Sequence, residues 1–324
     1  GDLGVAPDVL RRLAGERDGE GRTLLVCVLE GEEAPWEVVE ELLEAGSPID
    51  RAGGPRKEAP LHVALRRRQE RVAELLLERG ADDGARNAAG ETALEVAHSS
   101  GCLRVARHLE EVAAARREQQ MDNIVRELAE TERKHLGYMV LLRDDFAAPM
   151  RKELHVSEKC VRSLFGNIPQ LCGVAAAVLE RLDTEVARPV LERRVSGVFL
   201  SLMGTLEAYV RYCEGMAISD MVLCVVKDNE FMRGWLDDRK RMERCEKQDL
   251  DSFLIKPLQR LCRYPLLLRE LLKYYPAGDP EQAALDDVMQ KLNDLVGRAN
   301  ERKREVDDEL SVMTALGGAF TFGP

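Results

Sequence analysis

Asp249–Tyr275 reads DLDSFLIKPLQRLCRYPLLLRELLKYY, and few backbones can satisfy it. At about 100° per residue, Leu254, Leu258, Leu261, Pro265, Leu268 and Leu272 fall within roughly 40° of one line, the core-facing stripe of a helix. Gln259 and Arg263, at i and i+4, project about 140–180° from that stripe, with Ile255 and Leu266 flanking them at about 100–120°. An ordinary amphipathic helix is polar on that side. Either this one lies at the centre of a bundle with neighbours all round, or its outer face receives a partner. Pro257 and Pro265 would each cost about 3 kcal/mol inside a regular helix, so the helix must bend or its freed carbonyls must find other donors. Fold stability alone would not favour keeping both.

The first third of the chain is periodic. Gly21-Arg-Thr-Leu-Leu25, Lys57-Glu-Ala-Pro-Leu61 and Gly90-Glu-Thr-Ala-Leu94 align, their leucines 36 and then 33 residues apart. Each opening leads into a helix-turn-helix pattern, closing for example in Val72-Ala-Glu-Leu75-Leu76-Leu77-Glu-Arg-Gly80-Ala81-Asp82. This resembles the ankyrin repeat, a turn and two short helices with a period of 33. Pro7–Leu13 reads as the second helix of an earlier repeat or as a cap. Gly46, Gly80, Gly90 and Gly101 fall where chain reversal needs an unhindered backbone. Repeat 1 departs from the pattern: Glu32-Glu-Ala-Pro35 lengthens its inter-helix turn and Leu24 replaces the usual proline. His62 and His98 occupy hydrogen-bonding or ordinary helix positions rather than metal or catalytic ones.

From Cys102 to Leu136 there is no Gly or Pro. The last repeat helix is expected to run on into the next domain, the alternative being a break near Met121–Asn123 with Asp122 or Asn123 as N-cap. Beyond it lie long 3.6-residue periods and almost no two-residue alternation, so the whole chain reads as all-α. Ile124, Leu128, Thr131, His135, Tyr138 and Leu142 form the first stripe. Helical segments follow at Val156–Cys172, Cys172–Leu182, Val195–Gly215, Asp220–Trp235, the central stretch and Gln282–Leu310.

The chain's 324 residues, 45% hydrophobic and 32% charged, suffice for two domains with cores of their own. Fifty-eight acidic against 47 basic residues give a net charge of −11, spread over both parts, which excludes the basic excess of a nucleic-acid binder. No apolar run approaches the roughly 18 residues a bilayer span needs, and no signal peptide is visible. The chain opens at Gly1 without methionine, as an excised piece of a longer protein would. Eight cysteines show no C-x-x-C pair and no histidine at zinc spacing, so they read as reduced thiols used as small hydrophobes.

FLIKPLQRLCRYPLLLRELL resembles the third conserved region of the Dbl-homology (DH) domain, the module by which exchange factors act on Rho-family GTPases. Glu127-Leu-Ala-Glu-Thr-Glu132-Arg resembles that family's first region, E-L-x-x-T-E-R. Phe165-Gly-Asn-Ile168, Ala208-Tyr209-Val-Arg-Tyr212-Cys213 and Ala299-Asn300-Glu301-Arg-Lys-Arg are also similar. The resemblance covers about 122–310 and, together with the repeats, implies an ankyrin stack over 1–116 (about three repeats and a partial cap), an elongated DH-type helical bundle over 117–310, and a tail over 311–324.

It further implies a GTPase-binding surface made by Glu132, Ile255, Gln259, Arg263, Leu266 and Asn300. Glu132 would hold switch I, its position about 80° off the stripe putting it at the border of the buried face. Arg263 stands where the family usually has lysine. The charge is kept but its geometry is not interchangeable. Isoleucine at 255 is similar to Rac-directed factors and favours a Rac-like partner. Taken singly, each polar residue also reads as a solvated charge or a local cap. The function implied is guanine-nucleotide exchange without covalent chemistry, so no catalytic nucleophile, cofactor or metal is expected. The repeats would be regulatory or targeting, with a protein ligand on their groove, and the location cytoplasmic with recruitment to a membrane surface. The other reading is a non-catalytic scaffold that binds a GTPase or another protein.

Overall fold

The computed structural model describes residues 7–31 and 34–315, and they divide into two compact units at Arg116/Arg117. Glu32 and Glu33, which lengthen the turn of repeat 1, lie outside the described residues, as do residues 316–324 of the tail. Among the described residues there are helices and two isolated bridges, Arg17–Thr23 and Gly53–Glu58, but no strand. All eight cysteines are free thiols, and no helix among the described residues is long and apolar enough to cross a membrane.

In the first unit, α1 (Pro7–Ala14) precedes the helix pairs α2 (Leu24–Leu29) with α3 (Trp36–Glu44) and α4 (Pro60–Arg66) with α5 (Glu70–Glu78). The last pair is α6 (Ala93–Ser100) and the start of α7 (Leu103–Leu141). Leu25, Leu29, Leu42, Leu61, Leu65, Leu76, Ala97 and Val105 stack into one core. The first and third repeats are capped locally: Thr23 accepts from the Val26 amide, and Thr92 with Glu95 forms a complete capping box, a contribution of about 1 kcal/mol per cap, whereas α4 opens on Pro60 with no side-chain cap. His62 is fully buried and its Nε2 lies 3.2 Å from the Glu91 carbonyl, tying α4 to the next hairpin.

Four helices of the stack end in one geometry. The amide of Gly46, Arg68, Gly80 or Gly101 bonds back three residues, and the next amide bonds back five. All four have positive φ, from 58° at Arg68 to 91° at Gly46. Arginine alone pays the Cβ clash of that conformation. Arg68→Gly is therefore expected to stabilise the repeats by about 1 kcal/mol, read as a rise in the urea midpoint of the first unit's transition. An unchanged or lower midpoint would mean the Arg68 side chain has contacts worth more than the strain.

The second unit begins within α7, a single unbroken helix, so no N-cap forms at Asp122 or Asn123. A π-helical turn, Leu142–Ala147, leads into α8 (Ala148–Lys152). Then come α9 (Glu158–Phe165), α10 (Ile168–Val186), α11 (Val195–Glu214), α12 (Met216–Asp228), α13 (Glu230–Lys240), α14 (Leu250–Leu254), α15 (Lys256–Leu272) and α16 (Pro280–Ala315). Phe146, Phe199, Tyr209, Phe253, Tyr264 and Leu292 centre its core.

Three segments expected as continuous helices are broken. Val156–Cys172 stops at Phe165, because Gly166 has φ 54° and Asn167 turns its amide to the Ala208 carbonyl at 3.0 Å. Asp220–Trp235 breaks at Asn229, whose side chain caps α13 through the Met232 amide. The central stretch divides at Ile255, which answers the proline problem. Pro257 sits in the first turn of α15, where it has no amide to lose, and the Leu254 carbonyl takes the Tyr212 hydroxyl at 2.7 Å. Pro265 alone remains inside a helix.

Candidate functional site

α7 and α15 are joined by a buried ion pair. Arg260 donates through Nε to Glu132 Oε2 at 2.7 Å, through Nη1 to Thr131 Oγ1 at 2.8 Å, and through Nη2 to the Leu128 carbonyl at 3.0 Å. Tyr264 donates its hydroxyl to the same Glu132 oxygen at 2.7 Å, while Oε1 is buried without a partner among the described residues. Burial pushes the Glu132 carboxyl above its usual range, against the pull of Arg260 and of the hydrogen bonds from Tyr264 and Arg260.

Glu132, expected at the border of the core within a partner's reach, is 0% exposed and belongs to this lock instead. The stripe through Ile124, Leu128, Thr131, His135, Tyr138 and Leu142 is displaced from the buried arc: Thr131 and Tyr138 are half-buried and line an open cleft. Val125, Ala129 and Met139 are buried as well, which brings Glu132 close to the middle of the arc α7 buries. The acidic residues of that motif left in solvent are Glu127 and Glu130. Glu127 lies within about 40° of Thr131, Lys134 and Tyr138 along α7, and those three line an open cleft together with Gln259, Arg260 and Arg263 of α15. The signal for Glu127 was present in the same motif, five residues earlier.

The outer face of α15 carries the other expected residues. Gln259, Arg263 and Leu266 are exposed, Leu266 by 60%, and Ile255 is half-buried at the junction with α14. They span about 80° opposite the buried Pro257, Leu261, Tyr264 and Leu268. Asn300 is exposed on α16, which packs against both α11 and α15. Arg298 and Arg302 of α16 turn to Glu207 and Glu214 of α11, and Asn300, about 200° round from Arg298, lies on the opposite flank. No hydrogen bond links Asn300 to Arg263 or Gln259.

Behind the lock, His135 Nε2 lies 2.9 Å from the Tyr209 hydroxyl. Burial, with a smaller push from Arg260, lowers the His135 pKa from 6.5 to about 3. The unfolded chain thus binds a proton that the folded one refuses. This contribution to stability is full above pH 6.5 and is lost towards pH 3, at about 1.4 kcal/mol per pH unit. The upward shift of Glu132 acts in the opposite sense, so the difference between two proteins is the clean measure. His135→Gln keeps a partner for Tyr209 without titrating. It should flatten the acid slope of urea stability relative to wild type, and parallel slopes would contradict the assignment.

Compared with known proteins, residues 124–300 match the RhoGEF domain family and residues 24–116 match ankyrin repeats in three copies. The first match takes in more than half of the chain, which belongs to the RhoGEF domain family. Myosin-M heavy chain of Dictyostelium discoideum is 34% identical over 186 residues, 57% of this chain and 11% of that protein. The phosphatidylinositol 3,4,5-trisphosphate-dependent Rac exchanger 2 protein of Homo sapiens is 26% identical over 193 residues, 57% of this chain and 12% of that protein. The chain thus matches only about an eighth of these relatives' length. The DH/PH domains of PDZ-RhoGEF, solved with GTP-gamma-S-activated RhoA, align with TM-score 0.54 and 21% identity over 58% of this chain and 55% of that one. A structure of the Vav1 exchange factor gives TM-score 0.54 and 24% identity over 61% and 53%. At such identities the likeness is one of fold.

Proposed function

We propose that this chain is a guanine-nucleotide exchange factor for a Rho-family small GTPase, Rac-like by the isoleucine at 255. The observation that carries the reading is the outer face of α15. It exposes an amide, a guanidinium and a leucine on a helix that Arg260 and Glu132 hold rigidly against α7. The GTPase lies across this face, with Gln259, Arg263, Leu266 and Ile255 beneath switch II and Asn300 at its edge. Glu127, the exposed acid on the cleft side of α7, meets switch I in the place first given to Glu132.

Exchange then follows from linkage. A protein that binds the nucleotide-free GTPase more tightly than the loaded form weakens nucleotide binding by the same factor. The step makes and breaks no covalent bond. The ankyrin repeats are a regulatory or targeting module with a protein ligand, and the protein works in the cytoplasm with recruitment to a membrane surface. The test is release of a fluorescent GDP analogue from Rac-, Rho- and Cdc-type GTPases. Acceleration on at least one is expected. Binding without acceleration on any would leave a non-catalytic scaffold.

A further inference from the structure

The cleft beside the α7–α15 lock gathers more positive charge than the lock uses. Lys134 and Lys256 stand by Tyr138, their ammonium groups 5.7 and 5.2 Å from its ring centroid. Arg263 lines the same cleft and is exposed. Among the described residues neither Lys256 nor Arg263 has a carboxylate partner, and Lys134 has one, Glu246, at 3.6 Å. Glu246 is presented by a costly turn: it and Lys247 have φ of 49° and 60°, the left-handed region that side chains avoid. Cations held together around one aromatic ring repel each other unless an anion comes between them. Glu246, about half exposed, answers that need on one side only.

We propose that this cleft is a carboxylate-accepting subsite: an acidic side chain of the bound GTPase enters over Tyr138 between Lys134 and Lys256, displacing Glu246. The inference rests on the exchange-factor reading and deepens it. It names the chemistry by which this surface discriminates among GTPases, a matching Asp or Glu at the point that faces Tyr138. Glu246 is the internal stand-in. It keeps the cations from repelling in the free protein and competes with partners that carry no acid there. Charge pairing at a docking rim governs encounter and selectivity more than the maximal rate.

The test uses the full chain and the GTPase it activates best, at low and high salt. Lys134→Gln with Lys256→Gln should raise the chain concentration giving half-maximal exchange about tenfold, leave the maximal rate within about twofold, and flatten the salt dependence. Glu246→Gln should move the half-maximum the other way, by about threefold. All three side chains are substantially solvent-exposed or half-buried, and an unchanged circular dichroism melt checks that the variants fold. An unmoved half-maximum and salt slope in the double variant, or a rise with Glu246→Gln, overturns the subsite. Affinity for nucleotide-free GTPase is measured in parallel. If wild type binds but does not exchange, the exchange reading fails while the same substitutions still judge the subsite. If it binds no Rho-family GTPase, both fall.

Discussion

Glu132→Ala is expected to destabilise the second unit by about 3–5 kcal/mol, because it strands a buried guanidinium. Arg260 is 4% exposed and gives three of its donors to α7. With the carboxylate gone, its charge keeps only neutral acceptors, and the Tyr264 hydroxyl loses its acceptor too. Glu132→Gln should cost less, since an amide oxygen can still accept from both. Hydrogen exchange reads the effect locally. Amides of Lys256–Leu272 should lose protection in the alanine variant while those of Pro60–Arg66 and Ala93–Ser100 keep theirs. Unchanged protection along α15 would show that the pair does not hold the two helices together.

The second large effect falls on function and spares the fold. Glu127→Ala, Arg263→Ala and Asn300→Ala remove exposed side chains, so each should change stability by less than about 0.5 kcal/mol. If they form the core of the docking surface, each should slow catalysed GDP release by about 10²–10³, the loss of 3–4 kcal/mol typical of an interface hot spot. Release of the fluorescent nucleotide, beside a melting curve for each variant, separates this from unfolding. A Glu127 variant with wild-type rates would assign the switch I contact to Glu130, the other exposed acid of the motif. The contrast with Glu132→Ala is the informative one: two glutamates of one motif, one needed for folding and the other for exchange.

The amino-acid sequence by itself determined the helical class, the three repeats and the residues on the outer face of the central helix. The repeats were legible because their openings align, leucines 36 and then 33 residues apart, and because glycine closes three of their helices, at Gly46, Gly80 and Gly101. The motif around Gln259 and Arg263 was legible because polar residues recur there every fourth position opposite leucines. The breaks at Gly166, Asn229 and Ile255 were not legible, since apolar periodicity runs on through a break that one capping side chain or one tyrosine hydroxyl stabilises from elsewhere. Arg68 hides in the same way: its sequence neighbours say nothing of a positive φ that only alignment with Gly101 exposes. Only the tertiary structure decided which glutamate faces solvent. Helical angle ranks residues around an axis, but the width of the buried arc depends on how many helices pack there. In α7 that arc is wide enough to take in a carboxylate, provided an arginine from 128 residues away comes with it.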